Sequence, residues 1–199
     1  SGFMKIPEDG VDTFAMEGIA DHPYDIPNQR LAYGRAEPGP QVWFWRSVGH
    51  SQNVYFIEAF IDEIAAAAGR DPVELRRSLL ARQPRLRGVL DLAAQKAGWG
   101  SPPPQGVHRG VAITNCFGSF VAQVAEVSMD ASGKPRVHRI VAAVDCGRTV
   151  NPDVIHRQVE GAIAYGLSAA LHGKITFRNG RVEQSNFDDY PMLRMAEMP

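Results

Sequence analysis

Arg109–Asp130, RGVAITNCFGSFVAQVAEVSMD, is the stretch whose reading decides the fold. Its period is that of a strand, and the small and turn-forming residues at Cys116–Ser119 predict two strands meeting there. Ser132–Lys134 (SGK) then predicts a hairpin turn into a third strand within PRVHRIVAAVDCG, Pro135–Gly147. Farther on, Asn179-Gly180 predicts another hairpin within Lys174–Gln184.

Upstream the period is helical. In Gln52–Gly69, Val54, Ile57, Ile61, Ile64 and Ala68 recur along one face, and Gly69 stops the helix. Asp71 caps a second helix, with Pro72 at its first position and Glu74 three residues after the cap. Arg85–Trp99 predicts a third. Gly100–Gly106, with three consecutive prolines, is the clearest linker. Residues 1–30 carry turn residues and little periodicity. Arg30–Glu37 and the aromatic Gln41–Arg46 are expected as short strands, with Trp43, Phe44 and Trp45 in the core. After the sheet, Asn151 caps one long helix, with Val159, Ile163, Gly166, Leu167 and Ala170 along a stripe. The expectation is an α+β fold: a helical half, then a mostly antiparallel sheet crossed by one long helix. Residues 1–100 would form a strand-loop and three-helix segment, and residues 101–199 the sheet with helix 152–171.

The composition fits a globular chain of 199 residues, 44% hydrophobic and 22% charged. A formal net charge of −1 makes no electrostatic case for nucleic acid or an anionic membrane surface. No apolar stretch approaches the roughly 18 residues of a transmembrane helix. The two cysteines, Cys116 and Cys146, lack metal-ligand spacing and are expected as buried free thiols. The six histidines are scattered, with no pair at i, i+4 to suggest zinc. Glycine-rich phosphate loops, nucleophile elbows and His-Glu-x-x-His are absent. Asp188-Asp189 reads as a surface loop, since adjacent strand residues face opposite ways.

Two stretches hold chemistry. Trp45–Asn53, WRSVGHSQN, sits at the mouth of the first helix. A helix N-terminus offers free backbone N–H groups and partial positive charge, and small residues let an anion approach closely. Arg46 would add a fixed cation with five donors. The alternative is a plain helix start, with Ser51 as cap and Arg46 solvated. Val144–Asp153, VDCGRTVNPD, reads either as a strand–turn–helix connection capped by Asn151 or as a second site around Asp145.

Trp45–Asn53, Phe56–Leu80, Val144–Leu171 and Asn186–Pro199 (NFDDYPMLRMAEMP) together resemble the large subunit of the molybdenum hydroxylases, the xanthine dehydrogenase/aldehyde oxidase family. Within it, the chain is similar to the bacterial isoquinoline 1-oxidoreductase beta-subunit type. The resemblance implies a domain of a molybdopterin-binding subunit whose enzyme hydroxylates an aldehyde or N-heteroaromatic with oxygen from water. It implies molybdenum on a molybdopterin, with the cytosine dinucleotide as a candidate form, and [2Fe–2S] clusters on a partner small subunit or domain. It leaves the bacterial cytoplasm and periplasm both open.

RSVGHSQ matches the family's Arg-Gly-Phe-Gly-Gly-Pro-Gln pattern. Arg46, Ser47, Gly49 and Gln52 then fall on cofactor-binding positions. The resemblance implies that Arg46 lies near the molybdenum without ligating it. Val48 falls in the substrate pocket, where xanthine dehydrogenases carry a phenylalanine that stacks on the purine, so a purine is not the expected substrate. Ser47 and His50 depart from glycines. The family's catalytic glutamate, in a Gly-Glu-Pro motif, and its Met-Gly-Gln-Gly pterin motif have no match here, and Glu197 lacks the flanking residues. The resemblance therefore implies a piece of the subunit with the remainder as its partner, no catalytic base among these residues, and no activity alone. A non-catalytic binding or assembly module sharing the fold is the alternative.

Overall fold

The three-stranded meander expected from Arg109–Gly147 forms. In a computed structural model that describes residues 10–36, 39 and 43–199, β1 (His108–Cys116), β2 (Ser119–Met129) and β3 (Pro135–Asp145) pair antiparallel in that order. Val111 lies opposite Val124 and Val124 opposite Val141, while Ile113 lies opposite Ala122 and Ala122 opposite Ala143. Side chains alternate along a strand, so these six form two cross-strand rows on one face. All are buried except Val141, which packs against the same cluster. The β1–β2 turn puts Phe117 at φ 50° and Gly118 at φ 79°, the two left-handed residues that a tight hairpin needs. At the next turn the Asp130 carboxylate accepts from the backbone N–H groups of Ser132, at 2.8 Å, and Lys134, at 2.9 Å.

The sheet face is covered by α4 (Pro84–Ala97). Leu86, Val89, Leu90, Ala93, Ala94 and Ala97 recur at helical spacing, are buried, and pack toward β2 and β3. Before it run α1 (Thr13–Met16), α2 (His50–Ala67) and α3 (Pro72–Leu79). Asp71 caps α3 as expected, accepting from the N–H groups of Val73 and Glu74 at 2.9 Å each. After the sheet come α5 (Pro152–Leu171), capped by Asn151, and a short hairpin of β4 (Phe177–Arg178) and β5 (Arg181–Val182) turning at Asn179-Gly180. A mixed α+β architecture is thus the outcome.

A buried polar network ties the helices to the sheet. The Arg76 side chain, on α3, is 0% exposed. Its guanidinium donates to Glu58 Oε2 at 3.1 Å, to the Glu58 carbonyl at 3.0 Å, to Asp62 Oδ1 at 2.6 Å and to Tyr24 Oη at 3.1 Å. The Tyr24 hydroxyl donates to Glu58 Oε1 at 2.5 Å, and the Ile113 N–H of β1 donates to Glu58 Oε2 at 2.8 Å. Each polar group of this network has a partner, the condition under which such a network holds.

Several local expectations change. Arg30–Ala36 is not a strand: it finds no neighbouring strand, and β propensity without a ladder forms nothing. Glu37, Gln41 and Val42 lie outside the described residues. Trp43, Phe44 and Trp45 are not core but 81%, 45% and 46% exposed. The cysteines are free but not buried: Cys116 is half-buried at the β1–β2 hairpin and Cys146 exposed in the turn after β3. On α5 the expected stripe is only partly covered; Val159, Ile163 and Leu167 are half-buried, and Ser168 is the residue that is fully buried.

Candidate functional site

The chain between Trp45 and Asn53 is a turn that runs straight into α2. The Val48 N–H donates to the Trp45 carbonyl at 3.2 Å, the Ser51 N–H to the Val48 carbonyl at 3.3 Å, and the Asn53 N–H to the Gly49 carbonyl at 3.1 Å. Val48 has φ 51°, a left-handed conformation that is strained for a β-branched residue. Gly49 is required by contact rather than by φ: a Cβ there would lie 2.1 Å from the Phe14 carbonyl oxygen.

Ser51 does not cap α2. The cap position is Gly49, without a side chain, and the Ser51 hydroxyl pairs with the Ser47 hydroxyl at 2.8 Å. The loop is clamped from below by Asn53, whose buried amide donates to the carbonyls of Ala15, at 2.7 Å, and Glu17, at 2.8 Å. The His50 side chain points inward, its Nδ1 3.7 Å from Glu17 Oε2 and its Nε2 3.9 Å from Asp21 Oδ2. Both His50 Nδ1 and Glu17 Oε2 are buried without a hydrogen-bond partner. The Phe117 ring of the β1–β2 turn lies 6.1 Å from the His50 ring. Next to it, burial and the Glu17 and Asp21 carboxylates push the Cys116 thiol up.

On its outer side the loop meets α5. The Arg46 guanidinium carbon lies 4.1 Å from the centre of the Tyr165 ring, and the Trp45 ring lies 5.0 Å from the same ring. Arg46 is therefore not merely solvated. Among the described residues no acceptor takes up its N–H groups. Gln52 is exposed on the first turn of α2, and Ser47 and Val48 are half-buried. A groove of about 580 Å³ near Asp71, Arg77, Asp91 and Trp99 lies elsewhere and includes none of these residues.

The second candidate stretch is a structural clamp. Arg85 donates from Nε to Asp145 Oδ2 at 2.7 Å and from Nη2 to Oδ1 at 2.6 Å, and lies over the Phe120 ring at 4.2 Å. With the Gly147 N–H as a further donor, the Asp145 carboxyl is lowered to about 2. Asp189 of the acidic pair accepts from the backbone N–H groups of Ser185 and Asn186, closing a surface loop.

Sequence reading missed the neighbours of the candidate loop: Glu17 and Asp21 from the irregular segment, Phe117 from the sheet, and Tyr165 from α5. Each arrives by tertiary packing from far along the chain, so no local pattern could have nominated it. The one available signal was compositional, since Tyr165 interrupts a run of small residues on α5.

Two family models, each described as a molybdopterin cofactor-binding domain, match residues 2–80 and 63–199. The chain is 34% identical to the beta subunit of isoquinoline 1-oxidoreductase from Brevundimonas diminuta, over 88% of its own length and 23% of that protein. It is 30% identical to a subunit of the nicotinate dehydrogenase of Pseudomonas putida, over 89% of its length and 16% of that protein. A similar identity, 30%, links it to the membrane-bound aldehyde dehydrogenase [pyrroloquinoline-quinone] of Gluconacetobacter polyoxogenes, over 99% of its length and 29% of that protein. The chain thus spans less than a third of each of these relatives. Among the described residues no helix is long and apolar enough to cross a membrane. The mixed fold and these matches agree, and the chain belongs to the molybdopterin cofactor-binding domains of the molybdenum hydroxylase large-subunit family.

Proposed function

We propose that this chain forms one wall of a molybdopterin site, with Trp45–Asn53 facing the cofactor. The single observation that carries the reading is Arg46: a guanidinium braced on Tyr165, its N–H groups unclaimed among the described residues, at the start of an 18-residue helix. A phosphate-bearing anionic group fits that donor set, which combines a cation, a helix N-terminus and the exposed Gln52 amide. Arg46 and Gln52 would hold the group, and Gly49 would set the loop's path by letting it pack directly on the Phe14 carbonyl. The Ser47 hydroxyl already pairs with Ser51, so Ser47 would contribute through its backbone. When bound, the molybdenum–pterin group would supply the redox chemistry and the water-derived oxygen.

Val48 would present a small side chain toward the substrate, which favours an aldehyde or an N-heteroaromatic over a purine that needs an aromatic wall. The names of the relatives, an isoquinoline oxidoreductase, a nicotinate dehydrogenase and an aldehyde dehydrogenase, support the same substrate classes. A [2Fe–2S] partner would take the electrons, and the activity would belong to a larger subunit. In that complete enzyme, Arg46→Ala should lower turnover while leaving folding intact, and unchanged kinetics would remove Arg46 from the site. The 199-residue chain alone should show neither stoichiometric molybdenum nor dye-linked aldehyde oxidation; finding both would overturn the reading.

A further inference from the structure

At Tyr165, α5 meets the candidate loop. Two consecutive loop residues use one ring: Trp45 at 5.0 Å and an interplanar angle of 33°, and Arg46 at 4.1 Å. A cation over a ring face gives up a face of its guanidinium plane and keeps its N–H edges free for an anion. Unbraced, a long arginine side chain on an exposed turn would sample many rotamers, and each binding event would have to order it. Tyr165 is itself half-buried. Three residues on, buried Ser168 donates to the Ala164 carbonyl at 2.8 Å and accepts from the Leu193 N–H at 3.1 Å.

We infer that Tyr165 is a positioning residue for Arg46: its ring fixes the guanidinium so that the N–H edges face the bound anionic cofactor. The inference rests on the proposed role of the Trp45–Asn53 loop. The ring face does this work, and the phenol hydroxyl is dispensable.

The test uses the complete enzyme with its partner subunit and four variants: Tyr165→Leu, Tyr165→Phe, Arg46→Ala and the Tyr165→Leu/Arg46→Ala double variant. Leucine keeps helix propensity and much of the volume but has no ring face. Two quantities are read: kcat and KM separately, and molybdenum retained per protein after gel filtration. Tyr165→Leu should lower kcat roughly two- to fivefold and reduce retained molybdenum, since a lost cation–ring contact at an exposed arginine is worth a factor of that order. Tyr165→Phe should restore both. In the Arg46→Ala background, Tyr165→Leu should add nothing further, which a general folding defect would not produce. If Arg46→Ala impairs the enzyme while Tyr165→Leu behaves as the parent, the positioning role is overturned and the loop reading stands. If Arg46→Ala itself has no effect, the loop reading falls and the inference with it. Equal losses from Tyr165→Leu in both backgrounds, or no rescue by phenylalanine, would also overturn it.

Discussion

Arg76 and Glu58 meet at 3.1 Å in the interior, both side chains essentially without solvent, and Glu58 at the same time accepts the Ile113 N–H from β1. One carboxylate therefore couples α2, α3 and the sheet. Burial holds the Glu58 carboxyl above the ordinary carboxylate range, even with Arg76 pulling it down. Arg76→Ala should lower stability by about 3–5 kcal/mol, because removing one partner leaves a buried charge uncompensated. Urea unfolding of the parent and the variant measures it, and the Glu58 carboxyl should take up a proton at higher pH in the variant.

Neighbouring substitutions in the loop should have opposite signs. Val48 sits at φ 51°, and a left-handed φ costs a non-glycine residue about 1–3 kcal/mol. Val48→Gly should therefore raise the thermal midpoint, although glycine's extra unfolded freedom returns roughly 0.5–1 kcal/mol of the gain. Gly49→Ala should lower the midpoint, at a cost of about 1–3 kcal/mol in stability, since its new methyl group would be driven against the Phe14 carbonyl.

Much of this molecule was legible where structure is set locally. Asp71 and Asn151 cap helices through their own side chains, and the turns at Ser132–Lys134 and Asn179-Gly180 follow from nearby residues. Arg30–Ala36 misled because β propensity says nothing about whether a partner strand exists. Trp43, Phe44 and Trp45 misled because aromatic character does not decide which surface covers a ring. The loop was legible as a motif, but not its braces: Tyr165 and Phe117 reach it only after the fold is made.

The pH dependence of the Arg85–Asp145 clamp has a definite sign. Its carboxyl is lowered from 3.8 to about 2, led by the hydrogen bonds from Arg85. A depressed folded value means the contribution is present above pH about 4 and is lost as pH falls toward 2. Carboxyl NMR titration should place Asp145 near the lower value. Arg85→Ala should move it back toward the ordinary range, short of it because the Gly147 N–H still donates.

Asn53→Ala should free the segment around α1. Its amide is the donor to both the Ala15 and Glu17 carbonyls, and its loss leaves two backbone acceptors unpaired. A destabilisation of about 1–3 kcal/mol is expected, with faster limited proteolysis between residues 13 and 21 as the local readout.

The thin packing of α5 has a consequence for how the molecule opens. Leu86, Leu90 and Ala93 bind α4 to the sheet with 0% exposure each, so that part separates only when the whole core does. α5 has Ser168 as its one fully buried residue and Tyr165 as its bridge to the loop. It can therefore detach as a cooperative unit of its own, with a free energy well below that of global unfolding. Amide exchange through that opening would be set by two anchor points rather than by the core, and the shelf under Arg46 would come and go with it.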